Sequence, residues 1–380
     1  MEYRRIVIKV GTTTITGGSE EIDLVFLDSL ASQIARLRSL GAEVLLVTSG
    51  SIRAGMGSIG LSGRPTTIPE RQAAAAVGQG LLMRMYLDAF ARSGITVGQV
   101  LLTREDFGDR RRYLNARNTM RELLQHGVVP IVNENDTVSV DEIKVGDNDT
   151  LAALVAANME ADLLILLSDV PGLYDRNPAN DPNAQVIPVV AKVDSKIRAH
   201  AGGPKSESGT GGMRTKIAAA GIAMSCGVTM YIANGRQPDV LADIASGAQI
   251  GTKFLPKPES MSGRKRWIAF GASPKGGIVV NDGARDAICR QGTSLLAVGI
   301  TDVVGKFSRG DMVQIFDRER NQFARGFVNY NAAEIAKLEG RKSSEIETTL
   351  GYRDYDEIVH RDNMVVSESS VEARAPHSQQ

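Results

Sequence analysis

Histidine is scarce in this chain, with four scattered among 380 residues, and that sparsity argues against a metal site built from imidazoles. The two cysteines, Cys226 and Cys289, are far apart and form neither a metal-spaced pair nor a disulfide framework. Cys226 lies in an alanine-rich, helix-like stretch and reads as a buried, inert thiol, which suits a reducing compartment. Charge of one sign is also lacking: 44 Lys and Arg balance 44 Asp and Glu. A chain that lives on nucleic acid usually carries a basic excess, so a small ligand is expected instead. No apolar run approaches the ~18 residues of a membrane span, and residues 1–10 have no signal-peptide core, so a cytoplasmic protein is expected. Neither Gly-x4-Gly-Lys-[Ser/Thr] nor the protein-kinase glycine loop occurs, which sets aside two common ways of cradling a nucleoside triphosphate.

What is present is alternation. Apolar, β-branched runs at residues 5–10, 43–48, 96–102, 128–133, 162–167 and 228–233 are separated by helical patterns at 22–40, 69–93, 110–126, 149–159 and 213–226. Strands that are apolar throughout, with helices between them, predict a three-layer, doubly wound, mainly parallel α/β sheet covered on both faces. Pro256 and Pro258 then mark a change of character. The chain divides into an expected first domain at 1–255, a linker at 256–274, and a small β-barrel-like domain at 275–355. The second domain is expected from short β-rich pieces at 277–280, 294–298, 312–316 and 324–328. Residues 364–380, rich in Ser, Glu and Gln, are expected to be a disordered tail.

Ligands of doubly wound sheets bind beyond the carboxyl ends of the strands, so the chemistry is sought there. After the first strand come Lys9, Gly11 and Thr12, a lysine followed by a turn whose amides can approach a phosphate. Taken alone, an exposed lysine before an ordinary turn is the better reading. After the second come Ser49 and Gly50. After the fourth, a dense set of amides and carboxylates appears: Asn133, Asp136, then Asp147, Asn148 and Asp149 opening a helix. Asparagine offers donors to a carboxylate and acceptors to an ammonium, and an amino-acid ligand needs both. After the fifth come Ser168 and Asp169. The strongest local signal is Thr210-Gly211-Gly212-Met213-Arg214-Thr215-Lys216, a glycine-rich loop that opens a helix and suits an anion. Two lysines, two glycine-rich turns and a set of acids point to phosphoryl transfer, a reaction of positioning and charge neutralisation.

Together these segments resemble the amino-acid kinase family, in its branch that phosphorylates glutamate. The resemblance rests on VIKVGTT at 7–13, VTSGS at 47–51, GQVLLT at 98–103, LNAR at 114–117, IVNENDT at 131–137, EIKVGDND at 142–149, GTGGMRTK at 209–216 and NDGA at 281–284. Residues 275–353 look like a PUA domain, a fold often found in RNA-modifying proteins. The resemblance implies transfer of the γ-phosphoryl of ATP, with Mg²⁺, to the side-chain carboxylate of L-glutamate, giving L-glutamyl 5-phosphate, the first step of proline synthesis. It implies that Lys9 and Lys216 neutralise the migrating group and that Asp149 holds both lysines. Gly11 and Thr12 would cradle phosphate. Ser49, Gly50, Asn133, Asp136, Asp147 and Asn148 would bind glutamate. Ser168, Asp169 and the loop from Thr210 to Lys216 would hold ATP, the Mg²⁺ being bound mainly through its phosphates. It further implies a homo-oligomer, tetramer or dimer, and feedback inhibition by proline.

Two rival readings stand beside this one. A sibling kinase would act on another carboxylate, a carbamate or a nucleotide; the amide-rich segment 133–149 and the appended domain favour glutamate. An RNA-binding protein acting through the second domain is disfavoured, because residues 276–355 hold eleven Lys and Arg against eleven Asp and Glu.

Overall fold

The central runs that are apolar on both faces become strands buried on both faces. In the computed structural model, which describes residues 2–61, 63–139, 148–200, 212–257, 265, 268–269 and 274–366, the chain divides into two compact units, Met1–Met261 and Ser262–Gln380. The strands of the first unit are β1 (Arg5–Val10), β2 (Glu43–Thr48), β3 (Val97–Leu102), β4 (Val129–Glu134), β5 (Leu163–Ser168), β6 (Val189–Val190), β7 (Thr229–Asn234) and β8 (Thr252–Phe254). They form one sheet in the order β3-β4-β2-β1-β5-β7-β8-β6. From β3 through β7 every pairing is parallel. Only β8 runs antiparallel to β7, with β6 parallel to it at the edge. The stretch from 252 carries a linker's prolines, yet Thr252–Phe254 is part of this sheet: Thr252 and Phe254 are buried, and Pro256 falls just beyond the strand.

The helices of this unit are α1 (Thr12–Thr16), α2 (Leu24–Ser39), α3 (Ser51–Met56), α4 (Ile68–Arg92), α5 (Arg104–Gly108), α6 (Arg110–Gln125), α7 (Asn148–Met159), α8 (Ser195–His200), α9 (Met213–Ser225) and α10 (Val240–Ala245). Their ends follow local chemistry. Asp23 caps α2 by accepting from Phe26 N. Thr67 and Glu70 form a capping box at α4, which carries its proline in the first turn. Helix α7 is buried on almost all sides, which explains why its sequence shows little amphipathic pattern. On the other face, α2 and α4 cover Ile6, Ile8, Leu46 and Ile131.

Helices α3 and α4 cross at two glycines. A Cβ on Gly78 would stand 1.8 Å from the Ser51 carbonyl oxygen, and one on Gly55 would stand 2.0 Å from the Ala74 carbonyl oxygen. Only hydrogen at both positions permits this approach, and it brings the residues after Gly78 toward the end of β2.

The second unit contains β9 (Gly276–Val280), α11 (Asp282–Gln291), β10 (Ile300–Gly305), β11 (Met312–Phe316), β12 (Gln322–Phe327), α12 (Ala332–Leu338), α13 (Ile346–Leu350) and β13 (Met364–Val366). Its five strands lie in the order β10-β9-β11-β12-β13. This unit corrects three sequence expectations. Residues 294–298 are not a strand: Leu295 makes one bridge to Val359, and the chain then makes a 3-10 turn at Ala297–Gly299, where an added Cβ on Gly299 would stand 2.4 Å from the Ala284 methyl. The strand comes after that turn. The expected linker contains Ile268, which is fully buried, and Ala269, whose carbonyl accepts from Arg325 Nη1 at 2.8 Å. The unit also continues past residue 355: Ile358 and Val359 are in its core, and of the tail expected at 364–380 Met364–Val366 is a strand paired to β12, while 367–380 lies outside the described residues.

The glycine crossing can be tested by thermal unfolding. Gly78→Ala should lower the midpoint by several degrees, since overpacking against backbone costs about 1–3 kcal/mol or more. Gly80→Ala, where an added Cβ meets nothing within 4 Å, should leave it unchanged or raised.

Candidate active site

One strand end and two helix starts converge on one carboxylate. Asp149 enters in the first turn of α7 and is fully buried. Lys9, near the carboxyl end of β1, places Nζ 2.5 Å from Asp149 Oδ1. Lys216, in the first turn of α9, places Nζ 3.2 Å from Oδ2. Thr215 Oγ1 lies 3.1 Å from the same oxygen. The two lysines are only 5% and 7% exposed. Burial alone would raise the Asp149 pKa; the two ammonium groups overcome it and bring the carboxyl down to about 2. Two positive charges against one negative leave the cluster at +1, so it is poised to accept a further anion. Gly11 forms the floor: a Cβ there would touch Lys9 Nζ at 3.4 Å.

Beside this cluster lies a chain of amides. Asn148 Nδ2 is 2.8 Å from the Thr48 carbonyl oxygen, 2.8 Å from Ser49 Oγ and 3.1 Å from Asn133 Oδ1. Asn133 Nδ2 donates to Gln79 Oε1 at 2.8 Å, and Glu134 N donates to Asn133 Oδ1 at 2.9 Å. Ser51 Oγ donates to Asp136 Oδ2 at 2.8 Å. Burial raises the Asp136 pKa, and the Ser51 hydroxyl opposes it. Gly50 makes the turn from β2 into α3 with φ of 107°, and a Cβ there would strike Ile15 Cδ1 at 2.5 Å. Among the described residues, Asn148 Oδ1 and Gln79 Nε2 are buried without a hydrogen-bond partner.

A buried cation cluster thus adjoins a patch that pairs donors with acceptors. A model of the amino acid kinase family matches residues 4–234. The chain belongs to the amino acid kinase family. A PUA domain model matches residues 276–350. Curated relatives bearing the name Glutamate 5-kinase are similar over nearly their whole length. The one from Thermoanaerobacter sp. (strain X514) is 50% identical over 96% of this chain and 98% of its own. The one from Syntrophotalea carbinolica is 51% identical over 96% and 98%. The one from Geobacter sulfurreducens is 48% identical over the same shares.

Within this amino acid kinase framework the structure brings together Lys9, Gly11, Ser49, Gly50, Asn133, Asp136, Asn148, Asp149, Thr215 and Lys216. Thr12 opens α1 beside Gly11. Ser168, at the end of β5, donates to Asp169 Oδ1 at 3.0 Å. Gly212 caps α9, with Met213 and Arg214 following it and Arg214 exposed. Asp147, Thr210 and Gly211 lie outside the described residues. Sequence reasoning misses several participants. Gly235 follows β7, and a Cβ there would meet Thr14 Cγ2 at 2.7 Å; the end of β7, inspected like the other strand ends, would reveal it. Arg236 donates to the Thr14 carbonyl at 3.0 Å and to Asp23 Oδ2 at 2.8 Å, tying α1 in place. Gln79 is mid-helix, and no local pattern marks it.

A carboxyl held below its ordinary value stabilises the fold fully above the usual carboxylate range near pH ~3.9, and that contribution is lost as pH falls toward 2. Asp149→Asn should therefore cost on the order of 2 kcal/mol at pH 7. The gap from the unsubstituted protein should narrow below about pH 4. Denaturant midpoints measured across pH 2–7 check this; a gap that widened on acidification would show that the lysine pair does not hold the carboxyl ionised.

Proposed function

We propose that this chain transfers the γ-phosphoryl group of ATP to the side-chain carboxylate of L-glutamate, forming ADP and L-glutamyl 5-phosphate, the first step of proline biosynthesis. The observation that carries the proposal is the buried Lys9–Asp149–Lys216 cluster, one +1 site beside the Gly11 turn and the amide-lined patch. Membership of a kinase family brings ATP as donor, and the name shared by relatives about 50% identical along nearly the whole chain brings glutamate as acceptor.

The chemistry suits the residues. A carboxylate is already ionised at neutral pH, so attack on phosphorus needs no general base. One carboxylate oxygen forms the new P–O bond while the bond to the β-phosphate oxygen breaks and its electrons leave with ADP. The main obstacle is repulsion between anions. Lys9 and Lys216 lower it from fixed positions, because Asp149 holds both and no reorganisation is needed at the moment of transfer. Gly11 and Thr12 on one side, and Gly212 to Lys216 on the other, would receive phosphate oxygens. Ser168 and Asp169 would line the nucleotide. Mg²⁺ would enter on the ATP phosphates and supply further neutralisation there, with Asp169, an exposed carboxylate at the end of β5, as the neighbouring acid. Ser49, Asp136 and Asn148 would bind the amino acid. Proline also joins an ammonium to a carboxylate, so the same groups would admit it as an inhibitor. No helix among the described residues is long and apolar enough to cross a membrane.

The test is ADP release from the purified chain with ATP and Mg²⁺, offering glutamate, aspartate, N-acetylglutamate or UMP, with hydroxylamine present to trap an acyl phosphate. Turnover and hydroxamate are expected with glutamate alone. Lys216→Ala should reduce the rate by roughly 10²-fold or more. Turnover confined to another acceptor would keep the fold's chemistry and discard the substrate.

A further inference from the structure

The amide chain has a fixed polarity, and it ends on a donor. The Thr48 carbonyl can only accept, so the Asn148 atom 2.8 Å from it is the amide nitrogen, and the opposite atom is oxygen. The Glu134 backbone N–H can only donate, so the Asn133 atom 2.9 Å from it is oxygen. The other end of the Asn133 amide is therefore NH2, and the Gln79 atom 2.8 Å from it must be Oε1. Gln79 is left presenting Nε2 as a donor. Two backbone groups thus decide the orientation of three side chains without any choice of amide flip.

Both ends of this chain belong to the set of side-chain atoms that, among the described residues, are buried without a hydrogen-bond partner: Gln79 Nε2, a donor, and Asn148 Oδ1, an acceptor. A buried donor is costly unless something accepts from it. Resting on the glutamate reading above, we propose that Gln79 Nε2 donates to the α-carboxylate of the amino-acid substrate while Asn148 Oδ1 accepts from its ammonium. The reacting carboxylate must lie against Lys9 and Lys216. Asn148 is the chain neighbour of Asp149, which holds both lysines, whereas Gln79 stands at the far end, beyond Asn133. The α-carboxylate is the group left for it. Gln79 is carried there by the Gly55–Gly78 crossing, which presses its helix against the start of α3. Gln79 thereby acts as a specificity residue: it selects an acceptor with a carboxylate on the carbon that bears the ammonium.

Two variants test it. Gln79→Glu keeps an oxygen for Asn133 Nδ2 and replaces the donor with a like charge; Gln79→Met keeps the size and removes both functions. Each should raise the glutamate KM by roughly tenfold or more, with Gln79→Glu the worse at neutral pH, and leave the ATP KM within about twofold. The control ligand is 4-aminobutanoate, which lacks the α-carboxylate, measured as substrate or as competing inhibitor. It should bind wild type weakly and bind all three proteins alike. A glutamate KM unchanged in both variants would overturn the inference while leaving the glutamate reading intact. Equal losses for glutamate and 4-aminobutanoate would also overturn it, and would assign Gln79 to positioning Asn133. Wild type silent with glutamate would overturn the reading and this inference together.

Discussion

A carboxylate with no exposure to water is tolerable only if its charge is matched, and Asp149 is matched twice, by Lys9 and by Lys216. Removing either lysine leaves an ion pair in a low-dielectric setting; removing the carboxylate leaves two like charges side by side. The arrangement therefore locks three elements together: the end of β1, the start of α7 and the start of α9. It also sets the electrostatics of the site. A simple ion pair would be neutral, and a lone lysine could swing. Two lysines on one acid give a positive excess that is held still.

The sheet makes this possible. Parallel strands β1, β2, β4 and β5 end at one edge, so Lys9, Ser49, Asn133 and Ser168 arrive there from separate parts of the chain. Helix α7 begins at the same edge and supplies Asn148 to one side and Asp149 to the other. Adjacent residues thus link the amide chain to the cation cluster. The glycine crossing of α3 and α4 brings Gln79 to Asn133.

Much of this is legible in the sequence. Strands β1, β2, β4, β5 and β7 carry short apolar runs, and buried parallel strands demand that composition, whereas the two-residue β6 has no such run to mark it. The asparagine and glycine sets stand out because a dense group of amides and carboxylates follows one apolar run and a glycine-rich loop opens a helix, whereas Lys9 taken alone does not stand out. The joint role of Lys9, Asp149 and Lys216 is not legible from spacing, since Asp149 and Lys216 are 67 residues apart; family resemblance alone suggests it. Gln79 cannot be found either, because its partner Asn133 is 54 residues away and a glutamine within a helix is unremarked by any periodicity. Strand β8 is hidden by the prolines that follow it. In the second unit, 294–298 has the composition of a strand because Leu295 and Ala297 are buried, but it is the turn at Gly299 that decides where the strand starts.

The lysines' joint action through Asp149 is best tested by single-turnover transfer rates for Lys9→Met, Lys216→Met and the double variant, each with thermal unfolding as a check of folding. Groups acting as one unit are strongly non-additive. Each single substitution should cost on the order of 10²- to 10³-fold, and the double should be little slower than the worse single. A double variant slowed by the full product of the two single effects would mean that the lysines act independently, and would contradict the role of Asp149 as the group that joins them.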